Sequence, residues 1–421
     1  MKRLITNISA IAVAENAPSR EAVAGSNMKH LNCIENAYML IDQNRIHSFG
    51  NMSDVADVRK NFIIDEEIDA AGGFVLPGFC DSHTHIVFAG SREMEFVDKI
   101  NGLSYEDIAK RGGGILNSAE RLGQTSEDDL FEAARRRVIE VISHGTTALE
   151  IKSGYGLTPE SEIKILRVIK RLKEHFPIPI KSTFLGAHAI PKHYRDNRQA
   201  YIREIIDVML PQVADEKLAD YIDVFCDEGF FTIEETDAIL KAASTYGLRP
   251  KMHANEMANS GGVQLGIAHN AVSVDHLERI DKPEIDALLT SSTMPVALPG
   301  ASFFLRIPYA PVRQMVDSGL PVVLASDFNP GSSPSGNMQF IMSLACIYGR
   351  MLPEEALHAI TINGAFAMEI QNNYGSICPG KIANIVITKE IPSLAFMPYY
   401  YGFNKIDRVI INGELFDPSK Y

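Results

Sequence analysis

Short apolar runs and longer amphipathic stretches take turns along most of this chain, and the order of these two periods sets the expected fold. Up to about residue 70 the runs are β-like, such as Ala37–Ile41 and Arg45–Phe49, with turn-forming residues between them. From Gly73 onward, strand-length apolar runs alternate with helical patterns, as in parallel βα units. The candidate strands are Phe74–Cys80, Thr146–Ile151, Ile180–Leu185, Tyr221–Cys226, Pro250–His253, Ala271–Val274, Met294–Leu298 and Val322–Ala325. Among the helices, Glu127–His144 carries Leu130, Ala134, Val138 and Val141 at helical spacing and stops before Gly145. Glu160–His175, Gln199–Ala214, Glu234–Tyr246 and Pro283–Thr290 continue the pattern.

Eight strands in one helix-alternating series predict an α/β fold, the (β/α)8 or TIM-like barrel. A doubly wound open sheet is the alternative, but it usually needs fewer strands. After a helix near Glu354–Met368, β character returns at Ile385–Ile387 and Arg408–Ile411. The expected organisation is a barrel over residues 73–370, with 1–72 and 371–421 as two parts of a small β-sandwich domain formed from both termini.

The chain has 421 residues, enough for a barrel and one satellite domain, and its 46% apolar and 22% charged residues suit a globular protein. A formal charge of -13 without a dense Lys/Arg block argues against nucleic acid as a partner. Cys33, Cys80, Cys226, Cys346 and Cys378 are scattered, with no Cys-x-x-Cys pair, so reduced thiols and a cytoplasmic setting are expected. Lys2 and Arg3 before an apolar stretch ending Ala12-Val13-Ala14 have the outline of a secretory signal. Thr6, Asn7 and Ser9 interrupt that stretch, and a first β-strand is the better reading. No segment reaches the apolar length that crosses a bilayer, so no membrane partner is expected. Whether the chain forms a homodimer is left open.

Chemistry concentrates where strands end. Asp81-Ser82-His83-Thr84-His85 follows the first candidate strand, and alternate residues of a strand point to one side, so both imidazoles can reach one metal ion. A lone His-x-His is weak evidence. However, His253 ends the fifth candidate strand, His276 follows the sixth and Asp327 follows the eighth, and barrel enzymes draw catalytic residues from several such strand ends. His253 and Glu256 are three residues apart and would share a face if a helical turn began there.

This pattern resembles the amidohydrolase superfamily. Phe88-Ala-Gly-Ser-Arg92-Glu93, Arg111-Gly-Gly-Gly-Ile115, Glu150-Ile-Lys-Ser-Gly-Tyr155-Gly156, Thr183-Phe-Leu-Gly-Ala-His188 and Asp327-Phe-Asn329-Pro-Gly331 resemble the signature blocks of its imidazolonepropionase family, in family order. Phe328 and Asn384 stand where relatives often have Cys and Asp. The resemblance implies one zinc or iron ion per chain, held by His83, His85, His253 and Asp327. Dinuclear members carry a lysine at the end of strand four, but this strand runs into Asp227-Glu228-Gly229, and Lys152 follows strand two. The implied substrate is the small molecule 4-imidazolone-5-propanoate, hydrolysed to N-formimidoyl-L-glutamate in histidine degradation. Glu256, His276 and Asp327 would be catalytic, moving protons and meeting the oxyanion. Arg92, Tyr155, His188, Glu256, Asn329, Gly331 and Ser332 would bind substrate.

Each block also has a physical reading. Arg92 offers a planar fork to a carboxylate, or else pairs with Glu93 or Glu95. Tyr155 sits between two glycines, and His188 ends the third strand. Arg111-Gly112-Gly113-Gly114 lacks the Lys-Ser/Thr of a phosphate loop and reads as a pocket loop. Two rivals stay open: a deaminase of cytosine or guanine type, and a metal-binding protein without catalysis.

Overall fold

The termini share a sheet, and the barrel is threaded between them. The computed structural model describes residues 1–103 and 114–421. Its early strands are β1 (Lys2–Ala12), β2 (Cys33–Asp42), β3 (Arg45–Asn51), β4 (Glu66–Asp69) and β5 (Val75–Pro77). The barrel strands follow as β6 (Phe79–Thr84), β7 (Thr146–Lys152), β8 (Ile180–Ala187), β9 (Tyr221–Cys226), β10 (Arg249–Ala254), β11 (Ser273–His276), β12 (Met294–Ala297) and β13 (Val323–Leu324). The tail adds β14 (Ile385–Thr388), β15 (Ile406–Ile411) and β16 (Glu414–Leu415).

The terminal strands hydrogen-bond in the order β16-β15-β14-β5-β1-β2-β3, with β4 also on β1. Pairing is mixed: β4 and β5 run parallel to β1, whereas β2 and β14 meet their neighbours antiparallel. This sheet surrounds a core of its own, including Ile5, Ile11, Met39, Ile46, Ile385 and Ile410, and Arg45 of β3 bridges back to Ile382. The small β domain expected from both termini is present, its strands joined in one mixed sheet that the Arg45–Ile382 bridge ties back on itself.

The barrel strands bond in sequence order from β6 to β13, all parallel. Helices cover them as the periodicity predicts. Glu127–Ser143 is capped by Ser126, whose side chain accepts the Asp129 N–H, and it buries Leu130, Ala134, Val138, Val141 and Ile142. Between β13 and β6 there is no strand ladder. The seam is closed by the turn after β13, where Asp327 N–H donates to His83 O at 3.0 Å and His85 N–H to Phe328 O at 2.9 Å. Below it, Ser326 donates to Asp81 through Oγ at 2.5 Å and through its backbone N–H at 3.0 Å. Ala365 and Met368 pack against Cys80 and Ala148 and plug the opposite end. Among the described residues no helix is long and apolar enough to cross a membrane.

Three elements differ from the sequence expectation. Phe74–Cys80 is two strands: β5 belongs to the terminal sheet and β6 to the barrel, with Gly78 between them. A Cβ on Gly78 would lie 2.0 Å from Thr147 Oγ1, so only glycine lets the chain pass β7 there. The helix expected over Gln199–Ala214 widens to a π turn at Ile205–Met209, ahead of Pro211, whose ring cannot follow a regular α turn. The helix near Glu354–Met368 breaks at Thr361, whose hydroxyl donates to Leu357 O at 2.6 Å. Gly78→Ala should lower stability by about 1–3 kcal/mol through overpacking against Thr147, read as a shifted denaturant midpoint at unchanged slope.

Candidate metal centre and catalytic pocket

His83 lies in β6, His85 just beyond it, and His253 in β10, and their rings converge at the C-terminal mouth of the barrel. One nitrogen from each lies within 4.8 Å of the others. Each ring is held from behind. His83 Nδ1 meets Asp275 Oδ2 at 2.6 Å, His253 Nδ1 meets Asp223 Oδ2 at 3.0 Å, and His85 Nδ1 meets Ser153 O at 3.2 Å. An Nδ1–H donated backwards leaves the Nε2 lone pair facing the centre. Burial holds the His83 and His85 imidazoles well below their ordinary range and brings His253 down to about 3, so all three rings are neutral at pH 7. His83 Nε2 is buried and without a hydrogen-bond partner, which is costly for a nitrogen unless an ion meets it. The residues present therefore fit a divalent metal.

Asp327 stands on a fourth side, with Oδ1 at 3.6 Å from His83 Nε2 and 3.7 Å from His85 Nε2. Its backbone is left-handed, with φ of 52°, which swings the side chain inward from the end of β13. Burial pushes its carboxyl up to about 7, against the pull of His276. Ser332 Oγ donates to Asp327 Oδ2 at 3.2 Å, and Asn329 Nδ2 donates to Ser332 Oγ at 2.7 Å.

His276 ends β11, where sequence placed it just after the sixth strand, and a φ of 84° turns it toward the mouth. Its Nδ1 lies 3.6 Å from Glu256 Oε2 and 3.7 Å from Glu278 Oε2, too far for hydrogen bonds. Burial alone would depress this imidazole, but those two carboxylates push it up to about 10. It is an imidazolium at neutral pH, able to donate a proton or stabilise an oxyanion. Burial in turn raises Glu256, opposed by His276.

No helical turn follows His253: residues 255–258 form a bend, and the next helix starts at Gly262. The cause is Asp227 at the end of β9. Its carboxylate accepts the backbone N–H groups of Glu256 at 2.8 Å, Met257 at 2.9 Å and Ala258 at 3.1 Å. The residue that follows β9 thus shapes the Glu256 turn.

The expected substrate residues gather beside the histidines. Tyr155 OH donates to Asn329 Oδ1 at 3.1 Å, and His188 stacks on His85 with centroids 5.3 Å apart. Arg92 is largely buried and bonds Glu95 through Nε at 2.9 Å and through Nη2. Its third nitrogen lies against Gly331, where a Cβ would come within 2.4 Å of Nη1. Arg92, Glu95, Arg121 and Tyr155 line one cavity of about 290 Å³. Arg111, Gly112 and Gly113, expected in a pocket loop, lie outside the described residues.

Sequence reasoning missed Asp223, Asp275, Glu278, Lys251 and the structural part of Asp227, and it set Lys152 aside. A signal was present: charged residues sit inside otherwise apolar strands that the barrel buries on both faces. Replacing Asp227 with Ala would remove three charge-assisted hydrogen bonds from the bend. Amide exchange at Glu256, Met257 and Ala258 should speed by about tenfold or more, each lost bond being worth about 1.5–3 kcal/mol.

Residues 74–416 match the amidohydrolase family profile. A protein named imidazolonepropionase from Christiangramia forsetii is 53% identical over 415 residues, covering 99% of this chain and 100% of the relative. One of the same name from Caldanaerobacter subterraneus subsp. tengcongensis is 42% identical, covering 97% and 96%. In three dimensions the chain superposes on E. coli guanine deaminase at a TM-score of 0.72 with 13% identity, covering 99% of each. A triazine hydrolase variant gives 0.70 with 16% identity, covering 98% of this chain and 94% of that one. The solved structures share the fold alone, whereas the profile and the near-full-length relatives are specific: the chain belongs to the imidazolonepropionase family of amidohydrolases.

Proposed function

We propose that this chain hydrolyses the lactam C–N bond of 4-imidazolone-5-propanoate to N-formimidoyl-L-glutamate, using one zinc or iron ion held by His83, His85, His253 and Asp327. The carrying observation is that three converging neutral imidazoles stand beside Asp327, and that Tyr155, whose ring meets His85 at 5.6 Å, also lines a neighbouring pocket with Arg92. Relatives of the same name at 53% and 42% identity point to the same reaction. Five unpaired cysteines favour a reducing compartment, the cytoplasm.

A bound ion lowers the pKa of water toward about 7 and polarises a carbonyl. The side chains do the rest. Asp327, whose Oδ1 lies 3.6–3.7 Å from the facing nitrogens of His83 and His85, accepts the proton of the attacking water. The His276 imidazolium faces the oxyanion that develops on the ring carbonyl oxygen. Glu256, beside His276, hands a proton to the departing ring nitrogen, which would otherwise leave as an amidine anion. Arg92 meets the propionate with the part of its guanidinium that Glu95 does not use, and Gly331 leaves room for that approach. Tyr155 and His188 hold the ring, with Asn329 and Ser332 closing the side next to Asp327. A single ion suits the site, because Asp227 at the end of β9 is already engaged by backbone N–H groups.

The direct test is turnover of 4-imidazolone-5-propanoate by metal-loaded protein, with formimidoylglutamate as product. Ammonia released from amino-bearing heterocycles instead would favour the deaminase reading, and no turnover at one metal per chain would reject the enzyme reading. Glu256→Gln should keep its metal while kcat falls by roughly 10²–10⁴-fold, the usual worth of acid–base catalysis. Asp327→Asn should lose metal affinity as well. Metal content and kcat measured on both variants check this, and metal loss from Glu256→Gln would place Glu256 among the ligands.

A further inference from the structure

Beneath the imidazoles lies a layer of ionisable side chains that the reaction does not use. Glu150, Lys152, Asp223, Lys251 and Asp275 are all fully or almost fully buried. Lys152 Nζ donates to Glu150 Oε1 and to Asp223 Oδ2, both at 2.7 Å, and stands 3.6 Å from Asp275 Oδ2. Those two aspartate oxygens are the ones that receive His253 Nδ1 at 3.0 Å and His83 Nδ1 at 2.6 Å. One nitrogen therefore hydrogen-bonds one of the two carboxylate oxygens that aim the converging rings and lies within ion-pair distance of the other. The other ammonium of the layer is placed differently. Lys251 donates to Glu150 and, at 2.8 Å, to Ser82 O; its charge also acts on Asp275, but among the described residues it hydrogen-bonds neither aspartate.

We infer that Lys152 is a positioning residue for the metal centre, clamping Asp223 and Asp275 together so that His253 and His83 present their lone pairs to one point. The inference rests on the metal reading of the site given above. Three buried carboxylates repel one another, and each aspartate can hold its imidazole only while its second interaction is satisfied. A carboxylate and an ammonium both sealed from water have no solvent to replace a lost partner. If the clamp is removed, each aspartate can rotate toward other donors and the two rings lose a common direction. Carboxylates behind metal-bound imidazoles typically influence metal affinity by about 10–100-fold, and Lys152 acts on two of them at once.

Removing a buried cation alone can prevent folding, so the main variant is Lys152→Met combined with Glu150→Gln, which deletes one cation and one anion together. Glu150→Gln alone is its baseline, and Lys251→Met controls for loss of a buried ammonium whose charge reaches Asp275 but which hydrogen-bonds neither aspartate. Zinc affinity of the metal-free proteins would be measured by chelator competition, alongside their melting temperatures and the visible spectrum after cobalt loading. The expected result is a zinc affinity about 10–100-fold below baseline in the double variant, with an altered cobalt band. Lys251→Met should lose melting temperature while its zinc affinity falls much less. A folded double variant that binds zinc as its baseline does overturns the clamp, as does Lys251→Met weakening zinc equally. If wild-type protein takes up no zinc or cobalt at all, the metal reading fails first, and the two failures are thereby told apart.

Discussion

A neutral imidazole has one lone pair, and the acceptor that takes its N–H decides which nitrogen carries that pair and where it points; meeting that need three times organises this barrel. His83 and His253 lean on aspartates, and His85 on a backbone carbonyl. Buried aspartates need a counter-charge, which brings Lys152 into the interior, and Lys152 brings Glu150, which in turn engages Lys251 and the Thr183 hydroxyl at 2.5 Å. The strands can carry this polar layer because their outward faces are almost wholly apolar and pack under the helices. Each added charge answers the desolvation of the one before it.

Above the layer the same logic produces a graded mouth. Three rings stay neutral because burial opposes their protonation, whereas His276, no less buried, is charged because Glu256 and Glu278 face it. Asp327 lies between these regimes, its carboxyl balanced near neutrality. Groups of one chemical type thus take different protonation states within a few ångströms, and charge placement decides which.

The parts of this arrangement visible in the sequence were those with a short period or a strand-end position. Eight alternating strands, His83 and His85 on one side of β6, and His253, His276 and Asp327 at strand ends need only local spacing. Gly78 was hidden because the clash that requires glycine comes from Thr147 on a strand nearly 70 residues away. Asp223 and Asp275 were passed over as single charges within apolar runs, since their meaning depends on a lysine from β7 that lies between them in space but not in sequence. The Glu256 bend escaped for a related reason: the acceptor that shapes it is the carboxylate of Asp227, from another strand.

The seam between β13 and β6 carries a consequence for how the whole molecule loosens. Every other neighbouring pair in the barrel is laced by a strand ladder, but here the ring is fastened by the residues that frame the centre: Asp327 to His83, Phe328 to His85, and Ser326 to Asp81. An ion shared by His83, His85 and Asp327, as proposed, would be a buckle on the weakest stave of the cask. Draining it would relax the hoop as well as silence the chemistry, so the folded population and the working population would rise and fall together with metal supply.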